Sequence, residues 1–273
     1  MGTLYIVGTP IGNLEDITLR AIRILREVGL IAAEDTRRAR TLLSRFEIAT
    51  PLISYFEHSG AEKRAHLLDV LQGQDVALIS EAGMPGISDP GYDLIREALA
   101  LDIPVVPIPG PSALISALVV SGLPTDSFVY VGFLPRKAAE RRRALQALSR
   151  EERTIVLYEA PHRLLASLQD MLDILGDRPL AVARELTKMH EEVLRLSVSE
   201  MLAHFHETAP RGEFTVVVQG AERAQQVQYD LAAALALARE LTGAGLSARE
   251  AAAEVAKRTG LARRAIYAGL HER

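Results

Sequence analysis

The chain has 273 residues, of which 48% are hydrophobic and 24% charged, and a formal net charge of −4. That length suits two modest domains better than one, and a mildly acidic chain must bind any polyanion through local basic patches. The absence of cysteine excludes disulfides, cysteine-type zinc sites and thiol nucleophiles and fits a cytoplasmic protein; no apolar run is long enough to span a bilayer, so no membrane contact is expected, and a strand beginning at Thr3 leaves no room for a signal peptide or basic targeting arm.

In chain order, TLYIVG (3–8) reads as a buried strand. EDITLRAIRILREVG (15–29) reads as a helix, with Ile17, Ile22, Leu25 and Val28 on one face and Gly29 as its stop. LIAAED (30–35) is a strand, TRRARTLLSRFE a helix, PLISYF (51–56) a strand and AEKRAHLLDVLQ (61–72) a helix. DVALIS (75–80), YDLIREALAL (92–101) and PVVPIPG (104–110) follow as strand, helix and strand. SALISALVVSG then reads as a helix capped by Ser112. Strict alternation of this kind predicts an α/β domain with a largely parallel sheet, assigned to residues 1–115.

After GLPT (122–125) the pattern restarts, and a second α/β domain is expected over 116–221. SFVYVGFL (127–134) and RTIVLYEA (153–160) are strands around the helix RKAAERRRALQALSRE, and HRLLASLQDMLDILG is a further helix. PLAVAREL (179–186), EEVLRLS (191–197) and GEFTVVVQG (212–220) are strands with little helix between them, which predicts a mixed, partly antiparallel sheet. Residues 221–229 read as a polar linker, and 230–273 as an all-helical tail. In that tail SARE (247–250) is a capping box, and a short turn at Gly260 gives it a helix-turn-helix character. A plain helical cap is the equal alternative.

Three loops of the first domain, GTPIGN (8–13), SEAGMPGISDPG (80–91) and PGPS (109–112), fall at strand C-termini, where ligands bind in open α/β sheets. Each alone is explained as a tight strand-to-helix turn; three at one edge exceed that need. GTPIG lacks the dinucleotide fingerprint, and there is no Walker lysine, no G-x-S-x-G elbow and no histidine pair at metal-ligand spacing. Glu34 and Asp35 lie at the distance of a ribose-binding acid, a weak signal. A loop rich in carbonyls and carboxylates suits a cation such as a sulfonium and repels a phosphate, unless Glu81 and Asp89 only bind local backbone N–H groups. Gly83 and Gly86 are expected to let a ligand approach the backbone, with Pro85 and Pro90 holding the loop's shape.

Eight segments occur in order: TPIGNLEDIT, AAEDTR, SEAGMPGISDPGY, PGPSAL, GFLPRK, YEAPHR, ARELTK and GEFTVVVQG. Together they resemble the tetrapyrrole methylase family over about residues 3 to 220. Within it they are most similar to the branch that 2′-O-methylates a cytidine ribose of small-subunit (16S) ribosomal RNA near the decoding centre. The resemblance implies two α/β domains with S-adenosylmethionine between them, a homodimer, and small-subunit ribosomal RNA or the small ribosomal subunit as partner. Carried onto matching positions, it places Pro10, Ser80, Glu81, Ala82, Gly83, Pro85, Gly86 and Ser112 at the cofactor from the first domain. Phe133, Leu134, Tyr158, Glu159, Ala160 and Gly212 would approach from the second. Glu81 and Met84 depart from the aspartate and threonine usual in that branch.

Methyl transfer from a sulfonium leaves a neutral group, so positioning can supply most of the catalysis, while a ribose hydroxyl benefits from a base. Glu159, His162, Arg184, Glu185 and Lys188 are the candidates, with no one base singled out; Arg184 with Glu185, or Glu159 with Arg163, could equally be ordinary ion pairs. RKAAERRR (136–143) carries Arg136, Lys137, Arg141, Arg142 and Arg143 against Glu140. It is read as a phosphate contact, with a solvated helix face as the alternative. The tail has seven basic and five acidic residues, with Arg263 and Arg264 at the head of its last helix. Rival functions are a methylase of a porphyrin- or corrin-like ring, a non-enzymatic RNA-binding factor and a nicotinamide oxidoreductase, the last disfavoured by the missing glycine fingerprint.

Overall fold

The computed structural model describes residues 1–56, 59–222 and 230–271. Most of the expected linker (223–229) and the terminal Glu272 and Arg273 lie outside the described residues. The chain divides into two compact units, residues 1–221 and 222–273.

The first sheet is parallel throughout, in the order β3-β2-β4-β1-β5, built from β1 (Leu4–Val7), β2 (Leu30–Ala33), β3 (Leu52–Ser54), β4 (Val76–Ile79) and β5 (Val105–Ile108). Helices α1 (Leu19–Glu27) and α2 (Thr36–Arg45) pack on one face of it through Ala21, Ile24, Leu25, Ala39, Leu42 and Leu43. Helices α3 (Ala61–Val70) and α4 (Tyr92–Ala100) cover the other through Leu67, Leu94 and Ala98. This double winding explains why the strands read as continuous apolar runs: both faces are buried. The single helix expected over 15–29 is two pieces. A 3₁₀ turn (Leu14–Asp16) capped by Asn13 ends at an extended Ile17, and Thr18 then caps α1. Two side-chain caps in six residues stop a continuous helix from forming.

The second sheet runs β6-β7-β10-β8-β9, from β6 (Phe128–Phe133), β7 (Thr154–Glu159), β8 (Pro179–Arg184), β9 (Glu192–Ser197) and β10 (Phe214–Val218). β6 and β7 are parallel, and β10 is antiparallel to both neighbours, as is β8 to β9. The pleat divides side chains between two cores. Ile155, Leu157, Leu180, Val182, Phe214 and Val216 face α6 (Ala138–Leu148), α7 (Pro161–Leu175) and α8 (Val198–Glu207). Val156, Ala181, Ala183 and Val217 face α5 (Ala113–Val120), through Leu114, Ala117 and Leu118. α5, which opens with the PGPS loop of the first domain, therefore packs on the second sheet.

α8 corrects the expectation of little helix between the late strands. Its signals were local: Ser197 and Glu200 form a capping box, and Val198, Met201, Leu202 and Phe205 share the buried face. α6 begins at N-cap Lys137, so Arg136 and Lys137 precede the helix expected to contain them.

The tail holds α9 (Leu231–Gly243), α10 (Ala248–Thr259) and α11 (Arg263–His271) around Ala234, Ala238, Ala252, Val255 and Ile266. Ser247 and Glu250 form the expected capping box, and Gly260, at φ 73°, ends α10 in the left-handed conformation.

Candidate active site

The C-terminal edge of the first sheet faces the second sheet across a cavity of about 380 Å³, within the ~300–1,000 Å³ range of small-molecule sites. The loop after β4 forms most of one wall, with Glu81, Ala82, Gly83, Met84, Ile87, Ser88 and Asp89; Ile11 and Glu34 come from the loops after β1 and β2, and Ser112 and Ala113 from the start of α5. The facing wall is Phe133, Tyr158, Glu159, Ala160 and Pro161, with Leu186 and the run Gly212–Thr215 behind them.

Local geometry explains this placement. Thr9 and Gly83 exchange backbone hydrogen bonds of 2.9 and 3.0 Å, which tie the β1 and β4 loops together. Gly83 has φ 80°, and a Cβ there would meet only ordinary contacts, the nearest being Ile11 Cγ2 at 3.6 Å. Glycine is therefore required at this position by the turn itself. Gly83 also lines the cavity, as expected of a position where a ligand approaches the backbone, so the turn is a second reason for glycine there. Across the cavity, Tyr158 accepts a hydrogen bond from Leu114 N at 3.2 Å and packs edge-on against Tyr130, whose hydroxyl lies 2.5 Å from Ser88 Oγ. That contact clasps the loop after β4 to β6 beside the cavity.

Several expected cofactor residues lie elsewhere. Pro10 and Ser80 line an adjoining pocket of about 220 Å³, and Ser80 Oγ turns back to the carbonyls of Ala82 and Gly83. Pro85 and Gly86 sit within the loop without reaching the cavity. Leu134 is buried in the second core, where its carbonyl accepts from Arg163. Sequence reasoning named the loops that hold Ile11, Ile87 and Ser88 and the strand that holds Phe214 without singling these residues out, and missed Leu186. It weighed Glu34 low, yet Glu34 lines the wall and accepts a hydrogen bond from Glu81 N at 3.2 Å.

The first-domain wall is acidic. Burial, reinforced by the nearby charge of Glu34, pushes Asp89 up to about 7; a hydrogen bond from Ser80 opposes this and Glu81 adds to it. Burial likewise raises Tyr158, keeping its hydroxyl protonated.

The catalytic candidates do not converge. Glu159 lines the cavity but is only 2% exposed. It accepts from Ser167 Oγ (2.5 Å) and Ala160 N (2.9 Å) and pairs with Arg163 at 3.3 Å. Its oxygens are thus engaged in holding the start of α7. His162 is exposed on α7 and outside the cavity. Arg184 donates to Arg211 O and pairs with Glu192 rather than Glu185. Lys188 bridges Glu185 and Glu213, each at 2.9 Å. Burial works against the charges of Glu185 and Lys188, but their mutual hydrogen bond, with Glu213, outweighs it and keeps both ionised. Arg184, Glu185 and Lys188 also lie outside the cavity lining, and Glu213 is the member of this network that reaches it.

Of the basic segment, Arg141 is corrected: it is 7% exposed and bonded to Asp170 at 2.7 Å. Arg142 pairs with Asp170 and Asp173 at 2.6 and 3.0 Å. Arg136 and Arg143 are exposed, as is Lys137, which pairs with Glu140. In the tail Arg263 and Arg264 are exposed at the head of α11.

Residues 3–202 match the family described as Tetrapyrrole (Corrin/Porphyrin) Methylases. The chain belongs to the tetrapyrrole methylase family. Among its relatives is a protein of Synechocystis sp. named Ribosomal RNA small subunit methyltransferase I, 49% identical over 269 residues, which are 98% of this chain and 96% of the relative. A Thermotoga maritima protein of the same name is 52% identical over 223 residues, 81% of this chain and 100% of the relative. A solved methylase structure, uroporphyrin-III C-methyltransferase from Thermus thermophilus complexed with S-adenyl homocysteine, superposes with a TM-score of 0.56 at 20% identity, over 79% of this chain and 97% of that one. That likeness is one of fold.

Proposed function

We propose that this methylase transfers a methyl group from S-adenosylmethionine to the 2′-hydroxyl of a cytidine ribose in 16S ribosomal RNA, near the decoding centre. The observation that carries the reading is the similarity, at 49% identity over 98% of the chain and 52% over 81%, to relatives that share one ribosomal RNA methyltransferase name. Methylation of a porphyrin- or corrin-like ring is less supported, because the similarity to the uroporphyrin enzyme is 20%.

The cavity fits the cofactor's chemistry. Glu34, Glu81 and Asp89 give one wall a negative field, and Phe133, Tyr158 and Phe214 give the other an apolar, aromatic surface. S-adenosylmethionine, when bound, supplies an electrophilic methyl on a sulfonium. The acidic wall favours a cation there, and the Ser88–Tyr130 clasp holds the two walls in register before any ligand arrives. Asp89, titrating near neutrality, is the group on this wall suited to exchange a proton with an acceptor hydroxyl. Glu159 and Arg163 position α7, and Lys188 positions Glu213.

Arg136, Lys137, Arg143, Arg263 and Arg264 are the sequence-derived residues still available to RNA phosphates. The reading includes a homodimer, for which the exposed Ile115, Val119 and Val120 of α5 offer apolar surface. No described helix is long and apolar enough to cross a membrane, and a ribosomal RNA substrate supports reading the enzyme as cytoplasmic. The deciding experiment incubates unmodified small subunits with methyl-labelled cofactor and maps the label. Label on a single cytidine ribose is expected. Label on no RNA, with transfer to a tetrapyrrole, would replace this function with the small-molecule one.

A further inference from the structure

The arginines of α1 and α2 form a surface that neither the family match nor the sequence motifs assign. The two helices contain Arg20, Arg23, Arg26, Arg37, Arg38, Arg40 and Arg45, all exposed, and a single acid, Glu27. Both pack their apolar faces on the same side of the first sheet, so the arginines share its outer side. In a chain of net charge −4 this concentration is local.

Three of these charges are at least partly answered. Arg23 pairs with Glu27 at 2.7 Å, Arg38 with Glu81, and Arg37 lies 3.6 Å from Asp35. Arg20, Arg26, Arg40 and Arg45 have no carboxylate partner among the described residues. Two of them are brought together: Arg26 donates to Phe46 O at 2.7 Å, and the Arg45 guanidinium stands 5.7 Å from the Phe46 ring centroid. Helix electrostatics accounts for cations at these two C-terminal ends. It does not account for Arg20 in the first turn of α1, a turn that has no acid, nor for Arg38 in the first turn of α2, where the N-cap Asp35 pairs with Arg37. Helix stability alone would not place basic residues along the full length of both helices.

The surface also leads to the site. Arg38 and Thr41 line the 220 Å³ pocket together with Ser80 and Glu81, and Glu81 continues into the wall of the larger cavity. From Arg38 to Arg45 is seven residues, about 10 Å along the helix. A strand held on these arginines therefore runs up to the rim of the cofactor cavity.

We propose that the α1–α2 face binds the phosphate backbone of the RNA substrate and delivers the acceptor nucleotide to the cavity rim. This rests on the ribosomal RNA reading above. The test uses the full chain with Arg20→Gln, Arg40→Gln and Arg45→Gln combined, leaving Arg26 and Arg38 to their intramolecular contacts. RNA binding is titrated over a range of salt. Each lost contact to a single strand flattens the log–log slope by ~0.7, so the triple variant is expected to lose about 2. KM for RNA should rise with kcat little changed, while calorimetric affinity for S-adenosylmethionine and the melting temperature stay at wild-type values. The matching triple lysine variant should restore most of the slope. A wild-type slope in the glutamine variant overturns the assignment of this face. So does reduced methylation of assembled subunits with unchanged binding of naked RNA, which would put a protein contact there. If the wild-type chain neither binds nor methylates small-subunit RNA, the functional reading itself fails, an outcome distinct from both.

Discussion

RKAAERRR and TRRAR look alike as text, yet the fold treats them differently. On α6, Arg141 and Arg142 are turned toward α7 and held by Asp170 and Asp173. On α2, no carboxylate partner stands near Arg40 or Arg45 among the described residues, and Arg38 meets Glu81 only at the edge of the cavity. The difference lies in what each helix packs against. α6 lies beside α7, which presents two acids; α2 lies beside α1, whose one acid is already bound to Arg23. A basic run reports charge, and its neighbours in space decide whether that charge is available.

The largest effect should come from breaking the α6 network. Asp170→Ala strands Arg141, a buried cation, and is expected to cost ~3–5 kcal/mol of stability. Urea unfolding measures this, and a loss below ~1 kcal/mol would remove the distinction between the two segments. The RNA salt slope of the variant should match wild type at temperatures where it is folded.

The tail tests the same contrast across the two units. Arg263 and Arg264 are exposed, like the α2 arginines, and belong to a unit with its own small core. Deleting residues 230–273 should leave a chain that folds and binds S-adenosylmethionine. RNA affinity should fall ~100-fold, as expected when one of two linked binding surfaces is removed. Loss of cofactor binding in the truncated chain would make the tail part of the catalytic unit instead.

A smaller effect separates two kinds of acid. Glu185 is kept ionised by Lys188, whereas Asp89 is buried near Glu34 and raised to about 7. Asp89 therefore gains its charge as pH rises through 7. Affinity for the cationic cofactor should increase about fivefold between pH 6 and 8, roughly 1 kcal/mol of screened attraction. The sign for stability is opposite. A carboxyl whose folded pKa exceeds its unfolded value stabilises the fold at low pH, and that contribution is lost as pH climbs through 7. The ligand-free melting temperature should fall as pH rises from about 4 to about 7 and level off above that. Calorimetry and melting of Asp89→Asn should show neither dependence; if both persist, another group is titrating.

The smallest effect belongs to Arg143. Its alanine variant should flatten the salt slope by at most ~0.7. A loss near 2 from the combined alanine variants of Arg141, Arg142 and Arg143, in a chain that still melts normally, would reopen the α6 segment as the main phosphate contact.

The sequence by itself determined the alternation of strands and helices, the parallel first sheet and mixed second one, the three loops at the ligand edge and the capped helices of the tail. These follow from short-range rules: apolar periodicity, side-chain caps, and glycine where φ is positive. Even the missed helix α8 carried its own capping box, Ser197 with Glu200, so its omission was one of reading. What only the tertiary structure decided are the partners. Glu34, after β2, joins Asp89, after β4, on one wall because β2 and β4 are adjacent in the sheet. Arg141 meets Asp170 across two helices, 29 positions apart. Glu185 meets Lys188 and Glu213 at the margin of the cavity, which Glu213 alone of the three lines, and this ion-pair network is not visible in the motif ARELTK. Charge and pKa depend on burial and on neighbours a few ångströms away, and chain folding sets those distances among residues far apart in sequence.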